Sequence, residues 1–258
     1  METIFSYILV AVFGLIIASF LNVVIYRLHE KKSFIKGHSY CPKCQHALKA
    51  ADLVPIFSFI RLKGRCRYCR QKISWQYPLG EALLALAFCL LFFYFNWSWS
   101  FVFYLIDTCF LFMIFLYDLK YFLILDQVSL PAIVCALIFS IIMEMPLLDL
   151  LLGGLIGGVF FLAQYVISRG HWIGGGDIRL GVLMGFILGW EKFLVALFLA
   201  YIAGSLVSLI LIIVKRRSLK SQLAFAPFLV ASTFITLLYG QRILDWYLAG
   251  NLVNWLLY

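Results

Sequence analysis

Two aspartates stand where a carboxylate is costly to keep: Asp118 closes a long apolar run, and Asp177 directly follows Gly174, Gly175 and Gly176. An ionisable group at the margin of a membrane-type segment is a functional candidate by default. Two carboxylates within a few ångströms of each other cannot both ionise cheaply, so such a pair shares a proton and divides into a base and an acid. This is the aspartic-protease arrangement. The base takes a proton from an attacking water while the acid hydrogen-bonds the scissile carbonyl oxygen. A second constellation is Cys41-Pro42-Lys43-Cys44 with Cys66-Arg67-Tyr68-Cys69, two C-x-x-C pairs with 21 residues between them. Each pair supplies half of a tetrahedral thiolate site, and the gap lies just past the ~15 to 20 residues of a zinc ribbon. Zinc on Cys41, Cys44, Cys66 and Cys69 is the expectation, because structural disulfides are disfavoured in a reducing compartment. Cys89, Cys109 and Cys135 sit singly in apolar runs and read as small packing residues.

The elements that carry these groups follow from composition. The chain has 258 residues, is 64% hydrophobic with 12 acidic side chains, and has a mean hydropathy of +1.00. Repeated apolar stretches, each long enough to cross ~30 Å of hydrocarbon, exclude a soluble globule. The predicted fold is an all-α polytopic membrane protein of about eight transmembrane helices with a four-cysteine zinc-binding loop in the cytoplasm. Hydropathy places the helices near 4–28, 80–95, 101–117, 128–143, 147–167, 178–190, 192–214 and 222–240, with an aromatic tail over 243–258 suited to the interface. The first run lacks a basic leading segment and a small-residue cleavage site, so it reads as a retained helix. Three parts result: a first transmembrane helix over 1–28, a cytoplasmic loop over 29–79, and a transmembrane bundle over 80–258.

Lysines and arginines orient the bundle. Of the 21, all but Lys192 and Arg242 fall on one side under the eight-helix count. The positive-inside rule makes that side cytoplasmic and puts the N-terminus outside. Asp118 and Asp177 then both lie at cytoplasmic helix ends, where they can meet and where water can reach them.

Without a Cβ, the glycine triplet can take positive φ and let the backbone approach a substrate strand. Asp177 is expected at the N-cap of the helix that follows. Asp126, before Gln127, competes by position with Asp118, but reads better as a cap for the helix near Val128. The basic loop has a simple topological origin and suits anionic lipid, so no nucleic-acid partner is expected. No P-loop or dinucleotide fingerprint is present.

Several stretches together resemble a known family. Ala18-Ser19-Phe20-Leu21-Asn22-Val23-Val24-Ile25-Tyr26-Arg27-Leu28 is followed by the two cysteine pairs, with Asp52-Leu53-Val54-Pro55, Ile73-Ser74, Tyr77-Pro78 and Glu81 in order. Then come Tyr117-Asp118 with Leu125-Asp126, Gly174-Gly175-Gly176-Asp177-Ile178-Arg179-Leu180, and Phe225-Ala226-Pro227-Phe228. Along nearly its whole length the chain is similar to the bacterial type IV prepilin leader peptidase / N-methyltransferase family. The departures are Ala18 and Ala226 where glycine is usual, Leu125 where proline is usual, and Arg179 where lysine is common. Arg179 keeps a positive charge that is expected to bias the nearby carboxylates toward ionisation.

The resemblance implies a bifunctional enzyme of the bacterial inner membrane. Its substrates would be prepilin and pseudopilin precursors with a short basic leader, cut on the cytoplasmic face for a pilus, secretion or competence system. Asp118 and Asp177 match the family's catalytic aspartates, and Cys41, Cys44, Cys66 and Cys69 its metal ligands. The methyl donor would be S-adenosylmethionine, acting on the new N-terminal amine. Its site is not located by the sequence, although Asp52 and Glu81 are the acids of the matched loop motifs.

Two other readings stand beside this one. Presenilin-type proteases also carry Tyr-Asp and Gly-x-Gly-Asp, but they expect Pro-Ala-Leu where this chain has Pro227-Phe228-Leu229, and they lack a four-cysteine loop. A proton-coupled transporter with a regulatory zinc loop would use intramembrane acids as relays. No internal repeat supports it.

Overall fold

The computed structural model describes residues 2–33, 38–214 and 223–255. Lys36 and the run Lys215, Arg216, Arg217 and Lys220, used above for orientation, lie outside them. All regular structure among the described residues is helical, because a chain in hydrocarbon must satisfy every backbone N–H and C=O within its own segment. Two compact units divide at residues 105 and 106.

In the first unit, α1 (Glu2–His29) and α3 (Gln76–Phe95) run antiparallel. Gly14 meets the backbone of Ala85, Phe13 lies against Phe88, and Tyr7 packs edge-on to Phe92. Between them runs a loop holding a 3-10 turn (Ala50–Asp52) and the short helix α2 (Phe57–Arg61). Ile4, Ile8, Val12, Ile16 and Phe20 form an exposed apolar stripe on α1, as a lipid-facing surface requires.

Helix α4 (Trp99–Tyr121) leads into the second unit, followed by α5 (Asp126–Ile142), α6 (Leu147–Ser168), α7 (Gly175–Ile213) and α8 (Ala226–Trp255). Six helices are long and apolar enough to cross a membrane, and α5 is a shorter apolar helix. At 39 residues α7 would be about 58 Å long if straight, twice the hydrocarbon thickness. It is broken at Gly189, whose φ of 74° and ψ of 173° suit glycine alone. The segments before and after the break run in opposite directions along α6. A Cβ at Gly153 would meet the Gly185 oxygen at 2.6 Å, and one at Gly157 the Gly181 oxygen at 2.2 Å, so the first segment descends as α6 ascends. The same Gly157 position faces the Phe193 ring, and the Tyr201 hydroxyl donates to Gln164 Oε1 at 2.9 Å, so the second segment ascends with α6. Small residues at i and i+4 on both helices permit this backbone contact, which replaces water-driven collapse as the source of packing in lipid. Counting both segments of α7, the expected eight crossings are present in a multi-pass membrane protein.

The helix ends of this unit gather into two sets. The end of α4 and the starts of α7 and α8 meet through Asp118, Asp177 and Ala226. At the other extreme, Ser140 near the end of α5 donates to the Phe186 oxygen at 2.7 Å. Asp149 at the start of α6 accepts the Trp190 N–H at 2.9 Å, capping the second segment of α7. Helix edges depart modestly from expectation: α7 starts at Gly175, α4 continues past Asp118, and the tail after 240 extends α8.

Candidate active site and metal centre

Asp118 lies in the last turn of α4 and is buried. The start of α8 offers backbone N–H groups with no partner inside the helix, and Pro227 has none to give. The Ala226 N–H therefore donates to Asp118 Oδ2 at 3.2 Å, across 108 residues of chain. Asp177 is the third residue of α7, also buried, and its Oδ2 accepts the Gly174 N–H at 3.0 Å. It is not the N-cap that the sequence predicts, because the glycines themselves enter the helix and Gly174 takes that position.

What joins the two carboxylates is a contact between their flanking loops. A Cβ at Gly176 would fall 2.6 Å from Ile124 Cβ, so the bare glycine lets the loop after α4 lie directly on the start of α7. The Asp118 carboxylate is close enough to act electrostatically on Asp177. Beyond the one backbone hydrogen bond that each accepts, the described residues leave the remaining oxygens of both side chains unbonded. None of Gly174, Gly175 and Gly176 has positive φ, contrary to expectation; the triplet serves close approach instead.

Asp126 does not join this pair. It begins α5 rather than preceding it, is largely exposed, and forms an ion pair with Arg179. The Arg179 guanidinium is thereby held against Asp126. The sequence reading missed Asp107. It is buried in α4, its Oδ1 has no hydrogen-bond partner among the described residues, and it lies eleven residues before Asp118. Three helical turns place it on the same face, about 16 Å away. A lone acid inside an apolar run was the available signal.

The four cysteines assemble from two copies of one local design. Cys41 N–H donates to His46 O at 3.0 Å and Gln45 N–H to Cys41 O at 2.8 Å; likewise Cys66 N–H donates to Gln71 O at 2.8 Å and Arg70 N–H to Cys66 O at 3.0 Å. Isolated bridges Tyr40–Ala47 and Arg65–Lys72 close the two knuckles, and Gln45 and Arg70 both take left-handed φ at the tip. The ligand atoms of all four residues lie within 4.8 Å of one another, with Cys41 Sγ 3.9 Å from Cys69 Sγ. A tetrahedral zinc with ~2.3 Å bonds needs sulfurs about 3.8 Å apart, so the donor set and spacing fit zinc. Burial works against the Cys41 thiolate, yet the Cys44 and Lys43 N–H groups and neighbouring thiols donate to it and hold its pKa at about 7. The Gln71 N–H favours the Cys69 thiolate, but desolvation and the other thiols outweigh it and push that pKa to about 11. Nearby, Asp52 lies 2.8 Å from the Arg67 guanidinium and caps its own 3-10 turn, and Glu81 Oε2 accepts the Ile56 N–H at 2.7 Å.

Comparison with known proteins gives the family. The model for the bacterial peptidase A24 N-terminal domain matches residues 12–95, and that for the type IV leader peptidase family matches 105–209. A prepilin leader peptidase/N-methyltransferase of Aeromonas salmonicida (strain A449) is 30% identical over 93% of this chain and 93% of its own. The chain belongs to the type IV leader peptidase family. A protein of the same description from Bacillus subtilis (strain 168) is 30% identical, covering 92% of this chain and 96% of its own, and one from Burkholderia pseudomallei (strain 1026b) is 32% identical over 89% and 84%. No solved structure matches. Membership makes the chain an enzyme of the peptidase class, with an N-methyltransferase in the names of its relatives, and the transporter reading gives way to it.

Proposed function

We propose that this chain removes the leader of type IV prepilins and pseudopilins by aspartate-dyad hydrolysis at the cytoplasmic face of the bacterial inner membrane, and methylates the new N-terminus. The observation that carries the proposal is the meeting of Asp118 and Asp177 through the Ile124–Gly176 contact. One carboxylate accepts a proton from water as the water oxygen attacks the scissile carbonyl carbon. The other, protonated, donates to the carbonyl oxygen; as the C–N bond breaks, the first acid passes the proton it took from water to the leaving amine, and the second recovers its own as the C=O re-forms. The Ala226 and Gly174 N–H groups hold one oxygen of each acid, leaving the others for water and substrate.

The cytoplasmic placement rests on the basic residues. Arg27 lies in the last turn of α1 and Lys31 and Lys32 just beyond it, and the loop to α3 carries nine of the other 18 lysines and arginines. With the N-terminus outside, the eight-crossing count puts the starts of α7 and α8 and the end of α4 on the same side. Lipid is the other standing partner, and the loop's charge is accounted for without nucleic acid.

Zinc on Cys41, Cys44, Cys66 and Cys69 would cross-link the two knuckles, with no place in the peptide-bond chemistry. S-adenosylmethionine supplies a transferable methyl group on a sulfonium. The deciding experiment incubates the purified chain with a prepilin and the methyl donor and weighs the product. A product lacking the leader and heavier by one methyl group is expected; an uncut precursor overturns the proposal.

A further inference from the structure

Near the end of α6, Gln164 is anchored on one side of its amide and open on the other. The Tyr201 hydroxyl donates to its Oε1 at 2.9 Å, while its Nε2 is buried with no hydrogen-bond partner among the described residues. A buried donor without an acceptor is costly, so this amide is set for a partner that arrives. Holding the oxygen fixes the amide plane, and with it the direction of the two N–H groups. Tyr201 is itself fixed, its ring edge-on to Phe160 of α6 and to Phe225, the residue before α8.

The pair stands beside the two aspartates. Gly157 backs onto Gly181 where α6 and the first segment of α7 run antiparallel. Asp177, four residues before Gly181, is therefore level with Phe161, four after Gly157. Gln164 lies three residues beyond Phe161, about 5 Å along the axis toward the turn between α6 and α7. Two further links agree with that register. Asp177 is close enough to act electrostatically on Tyr201, and Phe225, against which the Tyr201 ring packs, precedes the residue whose N–H holds Asp118. Phe160 and Tyr201 are each 36% exposed, so the pair can be reached from the lipid side, the direction from which a membrane-anchored substrate comes.

An extended peptide must find hydrogen-bond donors on the enzyme that cuts it. A helical bundle presents no sheet edge, and the N–H groups inside a helix are spent on that helix. Helix starts and side-chain amides remain, and the Gly174 N–H is already given to Asp177. We propose that Gln164 Nε2 binds a backbone carbonyl of the leader just before the scissile bond, and that Tyr201 is the positioning residue that aims it. Gln164 has this role only if the peptidase reading above holds. The apolar helix of the precursor stays at the depth of the bundle, so the stretch that leaves the aspartates toward the α6–α7 turn is the leader.

The test follows cleavage of a synthetic prepilin by the full chain in nanodiscs. Gln164→Met is nearly isosteric and lacks the donor; Tyr201→Phe keeps the ring and loses the anchor. Loss of one backbone contact is expected to lower kcat/KM about 10- to 100-fold in Gln164→Met, chiefly through KM, and roughly three- to tenfold in Tyr201→Phe. Melting temperature reports the fold. An ester in place of one peptide bond of the substrate weakens a single carbonyl acceptor. Esters scanned along the leader are expected to reveal one position that slows the unaltered chain about fivefold and leaves Gln164→Met unaffected. Unchanged kcat/KM in either variant overturns the proposal. Ester effects that are absent, or equal in both chains, overturn it too, since a merely structural glutamine would slow every substrate alike. If the unaltered chain leaves the prepilin whole, the peptidase reading fails and the leader site falls with it.

Discussion

Ile124 fills the space that a side chain at Gly176 would need, with only 2.6 Å between its Cβ and the position of a Cβ on the glycine. Since both atoms are next to backbone, relief requires the loop after α4 or the start of α7 to shift, and Asp118 and Asp177 ride on these two segments. Gly176→Ala is therefore expected to lower leader cleavage by roughly 10- to 100-fold, the range for misplacing a reacting group by about 1 Å. Ile124→Gly in the same chain should restore part of it. Rates measured on a prepilin, with helix content as control, test the coupling.

The three acids near this junction differ in their partners, and their amides should differ in effect. Asp118→Asn and Asp177→Asn each remove a group that must gain or give a proton, and a loss of at least about 1,000-fold in cleavage is expected. Asp126→Asn breaks an exposed pair with Arg179, an interaction of about 0–1 kcal/mol, and should keep cleavage within about threefold. Leader release by gel or mass spectrometry separates them; cleavage lost equally in all three would contradict the assignment.

Hydropathy disclosed the spans and the placement of the two acids because both depend on composition along a single segment. The break at Gly189 was visible as a boundary between 190 and 192, since a 39-residue apolar run is too long for one crossing. Other features arise only from tertiary contact. Ala226 N–H reaches Asp118 across 108 residues, and Arg179 turns to Asp126 rather than to its near neighbour Asp177. No local pattern encodes either choice.

Gly189 carries the reversal of α7. Alanine there would hold a conformation suited to glycine and drive its Cβ to about 2 Å from Asp149 Oδ2. The strain alone is on the order of 1–3 kcal/mol. Gly189→Ala is expected to lower the melting temperature in mild detergent more than Asp149→Asn, which retains an oxygen for the Trp190 N–H. The reverse ranking would show that the cap, and not the turn, dominates.

The thiolate cluster predicts a tightly held zinc at one per chain by elemental analysis. Metal binding requires thiolates and releases protons, so affinity rises with pH and zinc is lost as the solution is acidified. Cys41→Ser should lower zinc content and loosen the loop, seen as faster proteolysis between 38 and 75. Leader cleavage is expected to persist, because the proposed hydrolysis uses no metal.

Ala226 offers a way to release Asp118 without touching the carboxylate. It is the first residue of α8, where proline's fixed φ and missing N–H are tolerated, and Phe225 before it sits where extended backbone is ordinary. Ala226→Pro thus removes the donor to Asp118 Oδ2 and little else, so kcat should fall about tenfold with substrate affinity and helix content retained. Ala226→Gly keeps the N–H and the rate. If both variants cut at the wild-type rate, Asp118 is held by its burial alone; if both are slow, Cβ packing at this buried position governs the site, and the backbone hydrogen bond does not.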